Sequence, residues 1–143
     1  MNDYNKIALF LPGMYGGGAE RIIFNLAREF YRNGYIVDLV LAEGQGPLMS
    51  MIPTGINIVT LSQTRLRRFR TMRTLPALIR YLRDSEPAWM LSALHANYVA
   101  LMAKMVSGVK TRFMISEHNT FSKQIDTLPI AMKAATALIA RIL

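Results

Sequence analysis

The chain contains no cysteine among its 143 residues. This absence excludes disulfide bonds, catalysis by a thiolate and metal sites with cysteine ligands. Low-complexity tracts and internal repeats are also missing, and acidic residues are few, with 9 Asp and Glu against 17 Lys and Arg. The resulting net charge of +8 predicts attraction to an anionic partner, such as a phospholipid surface, nucleic acid or a phosphorylated substrate.

The sequence also lacks the patterns of a secretory signal and of a membrane-spanning helix. Residues 1–6 show no basic segment followed by an apolar core and a small-residue cleavage site. The most apolar window, 88–106, carries His95, Asn97 and Lys104, which are too many polar groups for a helix in lipid. We therefore expect a cytoplasmic chain, with a peripheral position at the inner face of the membrane as a further expectation.

The order of apolar segments predicts the fold class. A hydrophobic content of 52% and a length of 143 residues indicate one globular domain over 1–143. Strands are predicted at 7–11, 36–42, 56–61, 89–94 and 112–116, with helices starting at 19 and 74, another over 97–107 and a last one over 128–143. Such alternation is typical of an α/β fold with a doubly wound parallel sheet, Rossmann-like in its connections.

A glycine-rich loop, residues 13–20, joins the first predicted strand to the first helix. Gly16, Gly17 and Gly18 are consecutive, and they come directly before an amphipathic pattern that starts at Ala19. Glycine lets a backbone approach a ligand closely, and the first N–H groups of a helix bind anions, most often a phosphate. The alternative is that these glycines only make a tight turn between strand and helix.

Two nucleotide-binding motifs are not matched. No Gly-Lys-Ser/Thr follows the glycines, which excludes a P-loop, and Arg21 occupies the third glycine position of the dinucleotide fingerprint. Glu43, at the end of the second strand, could still hold a ribose. A nicotinamide-dependent oxidoreductase therefore remains an alternative.

The two histidines follow predicted strands on the same side of the sheet as the glycine-rich loop. His95 comes after the fourth strand and His118 after the fifth, so both should share one rim with residues 13–20. This position favours a functional role for His118, within the polar cluster 116–120, and a structural role for His95. No His-x-x-x-His spacing supports a metal site.

The densest positive charge lies at residues 65–73. Arginine occupies five of these positions and alternates with Leu66, Phe69 and Met72: Arg65, Arg67, Arg68, Arg70 and Arg73. This pattern predicts either a contact with an anionic membrane surface or a solvated basic loop. No nucleic-acid-reading motif accompanies it, so we expect no nucleic-acid partner.

Three segments together resemble a known family: Lys6–Pro12, Gly16–Arg21 and Ser116–Asn119. They are similar to the N-terminal half of retaining glycosyltransferases with the GT-B fold, glycosyltransferase family four, over essentially the whole chain. The resemblance implies an acceptor-side domain, while a C-terminal domain binds most of the nucleotide-sugar donor. It implies transfer with retention and without a divalent metal or a further cofactor.

The resemblance also assigns roles to individual residues. Gly17 and Gly18 would face the donor diphosphate through their N–H groups, and His118 would contact the transferred sugar and stabilise its oxocarbenium-like transition state. The substrate-binding set implied in this way is Gly16, Gly17, Gly18, Glu117 and Asn119.

The second domain of the family has no counterpart in these 143 residues. We therefore expect a fragment or a subunit of a transferase of polysaccharide or glycolipid assembly, inactive without a C-terminal partner domain, because cations and dipoles around the leaving group lower much of the barrier. The alternative is a non-catalytic module that binds an acceptor or a membrane.

Overall fold

The structure is a computed structural model, and it describes residues 5–62 and 70–116. The predicted helix over 128–143 lies outside these residues. The strands are β1 (Lys6–Leu11), β2 (Ile36–Glu43), β3 (Asn57–Ser62), β4 (Trp89–Ala93) and β5 (Arg112–Ser116). The helices are α1 (Gly18–Arg32), α2 (Arg70–Arg73), α3 (Leu75–Ser85) and α4 (Ala96–Ser107), with a 3₁₀ helix at Pro47–Met51.

The five strands form one parallel sheet in the order β3-β2-β1-β4-β5. Ile7 of β1 aligns with Val37 of β2 on one side and with Trp89 of β4 on the other. The chain runs outward from β1 to β3 and then returns across the sheet to begin β4. This reversal between β1 and β4 confirms the predicted doubly wound fold.

The central strand is buried on both faces, which explains its unbroken apolar run. Successive side chains of a strand point to opposite faces. Leu9 therefore packs with Ile23 of α1 in one hydrophobic cluster, and Phe10 packs with Leu78 of α3 and with Val99 of α4 in the other. Strands covered by helices on both faces are typically continuous apolar runs, and residues 7–11 of β1 follow this pattern.

The helix boundaries follow the predicted signals with one exception. Gly34, after α1, and Gly108, after α4, adopt φ values of +82° and +71°, so both end their helices as expected for glycine. Thr74 does precede α3, and Pro76 lies in its first turn. However, the Thr74 hydroxyl donates to the carbonyl of Thr71, 2.5 Å away, and does not cap α3.

The segment 44–55 is not the plain loop that its glycines and prolines predict. Pro47–Met51 forms a 3₁₀ helix, in which Met49 N–H donates to the carbonyl of Gly46 at 3.2 Å. Proline is compatible with the first turn of a helix because its φ is already helical. Leu48 is buried against the α1 side of the sheet, and this burial stabilises the turn.

A buried polar network joins α3 to the amino-terminal edge of the sheet. The Asp38 carboxylate, in β2, accepts hydrogen bonds from Tyr81 at 2.6 Å, from Asn57 at 3.0 Å and from Ser85 at 3.3 Å. Lys6 Nζ donates to Ser85 Oγ at 2.9 Å. Burial, and then the hydrogen bond to Asp38, raise the pKa of Tyr81 far above its ordinary value of 10.0.

A second set of contacts fixes the start of the glycine-rich loop against the segment after β2. Met14 N–H donates to the carbonyl of Gln45 at 2.8 Å, and Leu48 N–H donates to the carbonyl of Met14 at 3.2 Å. Gly46 has a φ of +129°, and a Cβ at this position would collide with the Met14 carbonyl. Only glycine allows the two backbones to approach this closely.

We predict that Tyr81→Phe lowers the free energy of unfolding by about 1.5–3 kcal/mol at neutral pH, because a buried carboxylate loses a donor. The difference from the unchanged protein should shrink above pH 10. There, tyrosine ionises in the unfolded chain but stays protonated at Tyr81, so the unfolded state gains stability. Urea unfolding at neutral and at alkaline pH measures both effects. Tyr35→Phe, at an exposed position, is the control; equal stability of Tyr81→Phe and the unchanged protein at neutral pH would contradict the network.

We also predict that Gly46→Ala destabilises the protein by roughly 1–3 kcal/mol, because it combines a strained φ with a backbone collision. Gly18→Ala is the matched control, since a Cβ at Gly18 meets no atom within 4 Å. Thermal unfolding of the two variants compares them directly. If Gly46→Ala unfolds at the same temperature as Gly18→Ala, the tight backbone approach at Met14 does not stabilise the loop.

Candidate active site

In doubly wound sheets a crevice forms where the strand order reverses, and in this sheet the reversal lies at the carboxyl ends of β1 and β4. The two strands pair directly, with Phe10 opposite Ser92. α1, which follows β1, and α4, which follows β4, cover opposite faces of the sheet. In doubly wound sheets, ligands bind at such a reversal. The structure thus brings the glycine-rich loop and His95 to one rim, as the strand order predicted.

Within the loop, Gly16 makes a turn that other residues rarely adopt. Its φ is +94°, and its carbonyl accepts a hydrogen bond from Arg21 Nε at 3.0 Å. Arg21 is the residue that breaks the dinucleotide fingerprint. Its side chain instead holds the loop in shape from the first turn of α1.

Gly17 and Gly18 differ in what surrounds them. Gly17 is the N-cap of α1, and a Cβ there would collide with the Glu20 carboxylate. A Cβ at Gly18 would enter open space. The first N–H groups of a helix have no partner inside the helix, and the dipole adds positive potential there. This end of α1 can therefore bind an anion through backbone N–H groups.

Two buried carboxylates lie beside this anion-binding end. Glu20 is 8% exposed and Glu43 is 7% exposed, and Tyr15 donates to Glu43 Oε2 at 3.0 Å. His95 is exposed at the rim. Desolvation of the part of the ring that packs against the protein lowers its pKa from the ordinary value of 6.5, and the nearby charges of Glu20 and Glu43 oppose this shift. This shift favours the neutral imidazole, in which one ring nitrogen donates and the other accepts a hydrogen bond.

This carboxylate–imidazole cluster was not predicted from the sequence. The sequence predicts a structural role for His95 and, in the oxidoreductase alternative only, a ribose contact for Glu43. Glu20 lies in the first turn of α1, where a carboxylate interacts favourably with the helix dipole whatever its other contacts. The sequence does indicate where each residue lies: Glu43 at the end of a strand, His95 just after a strand and Glu20 at the start of a helix. These positions predict a cluster only once β1 is known to lie between β2 and β4.

The end of β4 is shaped by an unusual backbone and a buried amide. Leu94 has a φ of +60°, a conformation that costs a residue with a Cβ about 1–3 kcal/mol and that occurs most often at functional sites. Asn97 is buried, with Ser92 Oγ at 2.8 Å from its Oδ1, and its Nδ2 donates to the carbonyl of Ser116 at 3.1 Å. Asn97 therefore joins the ends of β4 and β5.

Several predicted site residues lie outside the described part of the chain: Glu117, His118, Asn119, Arg65, Arg67 and Arg68. β5 ends at Ser116, directly before Glu117. Arg70 and Arg73 begin and end α2, and Arg73 is exposed. Within residues 5–62 and 70–116, no group of three or more acidic or histidine side chains could hold a metal ion. In the same ranges, every helix is too short or too polar to cross a membrane.

Comparison with solved structures supports the fold. The chain is similar to the lipopolysaccharide outer core galactosyltransferase WaaB in its apo form, with a TM-score of 0.62 and 17% sequence identity. The match covers 86% of this chain but 35% of WaaB, so the chain spans about a third of that protein. No curated protein matches the sequence.

Comparison with protein families identifies the chain's relatives. The model of Glycosyltransferase Family 4 matches residues 16–142, from the glycine-rich loop almost to the last residue. This match confirms the family resemblance of the segments around Gly16 and Ser116, and it leaves no support for a nicotinamide-dependent oxidoreductase. The chain belongs to glycosyltransferase family 4.

Proposed function

We propose that the chain is the acceptor-side domain of a retaining glycosyltransferase, which moves a sugar from a nucleotide-sugar donor to a polysaccharide or glycolipid acceptor. One observation carries this proposal beyond the family assignment. The crevice combines an open helix N-terminus at Gly18 with two buried carboxylates, Glu20 and Glu43. The helix N-terminus suits the anionic diphosphate of the donor, and the carboxylates suit the hydroxyl groups of the acceptor.

The donor half of the proposal rests on Gly17 and Gly18. The first N–H groups of α1 and its dipole attract the diphosphate of the donor. The open space at Gly18 lets a diphosphate approach the backbone without meeting a side chain. Gly16 and Arg21 hold the loop in the shape that this approach needs.

The acceptor half rests on Glu20, Glu43 and His95. Ionised carboxylates accept hydrogen bonds and donate none, so they favour sugar hydroxyl groups and repel phosphate. Neutral His95 can accept from one hydroxyl and donate to another. We therefore place the acceptor hydroxyls beside Glu43 and the diphosphate beside Gly18.

The proposed reaction follows the family's retaining mechanism. The bond between the sugar and the diphosphate breaks, the departing diphosphate takes the proton of the acceptor hydroxyl, and the acceptor oxygen attacks the same face of the sugar. His118, with Glu117 and Asn119 beside it, contacts the transferred sugar. Cations of a second domain stabilise the diphosphate, because preorganised charges at the leaving group lower the barrier strongly.

We expect the chain alone to release no nucleoside diphosphate from a panel of nucleotide sugars and glycan or lipid-linked acceptors. Release should begin when a family donor-binding domain is supplied, either joined to the chain or mixed with it. In the active pair, Gly18→Ala should lower kcat/KM by about 10- to 100-fold, because a methyl group displaces the diphosphate from the helix N-terminus.

The matched control is Asn25→Ala, an exposed position on the same helix. Equal rates for Gly18→Ala and Asn25→Ala would contradict the donor role of the loop. Acceptor binding without transfer in any pairing would favour a non-catalytic module instead of a transferase domain.

We further propose that the basic stretch 65–73 contacts the anionic inner face of the membrane and places the crevice near a lipid-linked acceptor. Arg73, at the end of α2, is exposed. Each Lys or Arg near an anionic surface contributes about 1 kcal/mol to binding.

Co-sedimentation with vesicles tests this contact. Vesicles that contain phosphatidylglycerol should bind the chain, and glutamine at Arg65, Arg67, Arg68, Arg70 and Arg73 should remove most of the bound fraction. Phosphatidylcholine vesicles are the control. Equal binding to both vesicle types, or binding that survives the five substitutions, would show that these arginines do not recruit the chain.

A further inference from the structure

A second pocket lies at the opposite, amino-terminal edge of the sheet. Its volume is ≈ 650 Å³, and two neighbouring loops enclose it, residues 86–88 before β4 and residues 108–111 before β5. Arg112 N–H donates to the carbonyl of Ala88 at 3.0 Å and joins the two loops. This amino-edge pocket is separated from the candidate active site by the length of β4.

The charged residues that line the amino-edge pocket are mainly cationic. Arg83, Lys110 and Arg112 line it together with one carboxylate, Glu86. Three positive charges against one negative charge produce a positive potential, and a concave surface concentrates this potential. The pocket therefore attracts anions.

The end of α4 beside the pocket would normally oppose an anion, because helix C-termini carry negative potential. Here, cationic side chains cover the carbonyl groups. Arg83 donates to the carbonyls of the last two residues of α4, from Nε to Ser107 at 3.2 Å and from Nη2 to Val106 at 3.4 Å. In the loop that follows, Lys104 Nζ donates to the carbonyls of Val109 at 3.1 Å and Thr111 at 2.6 Å. These bonds cancel much of the negative potential that an incoming anion would meet.

The wall of the pocket also contains a polar group without a partner. Ser107 is 7% exposed, and its buried hydroxyl makes no hydrogen bond to the described residues. Proteins rarely leave a buried hydroxyl unsatisfied. Ser107 is one of the residues that line the pocket, so a rotation about its χ1 would let this buried hydroxyl donate to an oxygen of a bound anion.

An aromatic surface adjoins the cations. Trp89 is 39% exposed and lines the pocket, and the Arg112 guanidinium lies 5.2 Å from the centre of its ring. A bound molecule can thus place an anionic group on the cations and an organic group on the indole.

We propose that the amino-edge pocket binds phosphate esters. Lys110, Arg112 and the hydroxyl of Ser107 hold the phosphate group, and Trp89 contacts the organic part. The ester comes either from a soluble phosphorylated molecule or from a phospholipid headgroup, since both present the same group. The site is independent of the proposed glycosyl transfer, because it shares no residue with the crevice at the carboxyl edge.

The chain contains a single tryptophan, Trp89, so its fluorescence reports on the surface around this residue, and the Lys110 and Ser107 variants assign a response to the amino-edge pocket. We expect the Trp89 emission of the full chain to change on titration with glycerol 3-phosphate, and not with glycerol plus sodium chloride at equal ionic strength. Lys110→Gln and Ser107→Ala should each weaken this binding by roughly 3- to 10-fold. Ser107→Ala should leave thermal stability unchanged or raised, since the hydroxyl that it removes has no partner.

Arg32→Gln, which removes one exposed positive charge from α1, is the matched control for Lys110→Gln and should bind like the unchanged chain. Vesicles containing phosphatidylglycerol distinguish the two sources. A response to glycerol 3-phosphate assigns the site to soluble esters, and a response to these vesicles alone, weakened by Lys110→Gln, assigns it to a lipid headgroup. No response to either probe, or a response that Lys110→Gln and Ser107→Ala leave unchanged, would overturn the proposal.

Discussion

The parallel pairing of β1 with β4 is the interaction on which the candidate site depends. It brings a strand from the start of the chain beside one that begins some eighty residues later, with Ile7 opposite Trp89. The loop after β1 and the turn after β4 then diverge to opposite faces of the sheet, and the crevice opens between them. Without this pairing, the glycine-rich loop and His95 would lie on unrelated parts of the surface.

The glycines around this crevice perform different physical tasks, although they look alike in the sequence. Gly46 allows two backbones to pack together, Gly16 supplies a turn with positive φ, and Gly17 leaves room for the Glu20 side chain. Compared with these three glycines, Gly18 differs in that a Cβ there would have no atom within 4 Å, so the space at Gly18 is open to a ligand. The three supporting glycines fix the backbone, and this fixed backbone gives the exposed N–H groups at Gly18 a defined direction.

The fold was predictable because its signals are local. Apolar runs such as residues 7–11, a period change at Ala19 and glycines after two helices identify the elements. The alternation of strands and helices, interrupted between the second and third strands, leaves few topologies. The 3₁₀ helix at Pro47–Met51 was missed because a short turn depends on the burial of one side chain, Leu48. The association of Glu20, Glu43 and His95 was missed for a different reason. It requires the order of β2, β1 and β4 across the sheet, which no local pattern contains.

The two edges of the sheet carry opposite arrangements of charge, because the helices begin at the carboxyl edge and end at the amino edge. An anion therefore meets positive helix potential at the first edge and negative helix potential at the second. At the carboxyl edge, the N-terminus of α1 supplies positive potential without a cationic side chain, so carboxylates such as Glu20 can lie beside it and still leave a place for phosphate. At the amino edge, the helices end, and their carbonyl groups produce negative potential. An anion can be held there only if side chains first neutralise those carbonyls. Arg83 does so at the end of α4, and Lys104 binds carbonyls of the loop that follows. The cations at the amino edge therefore offset nearby carbonyl groups, and they do not merely reflect the net positive charge of the chain.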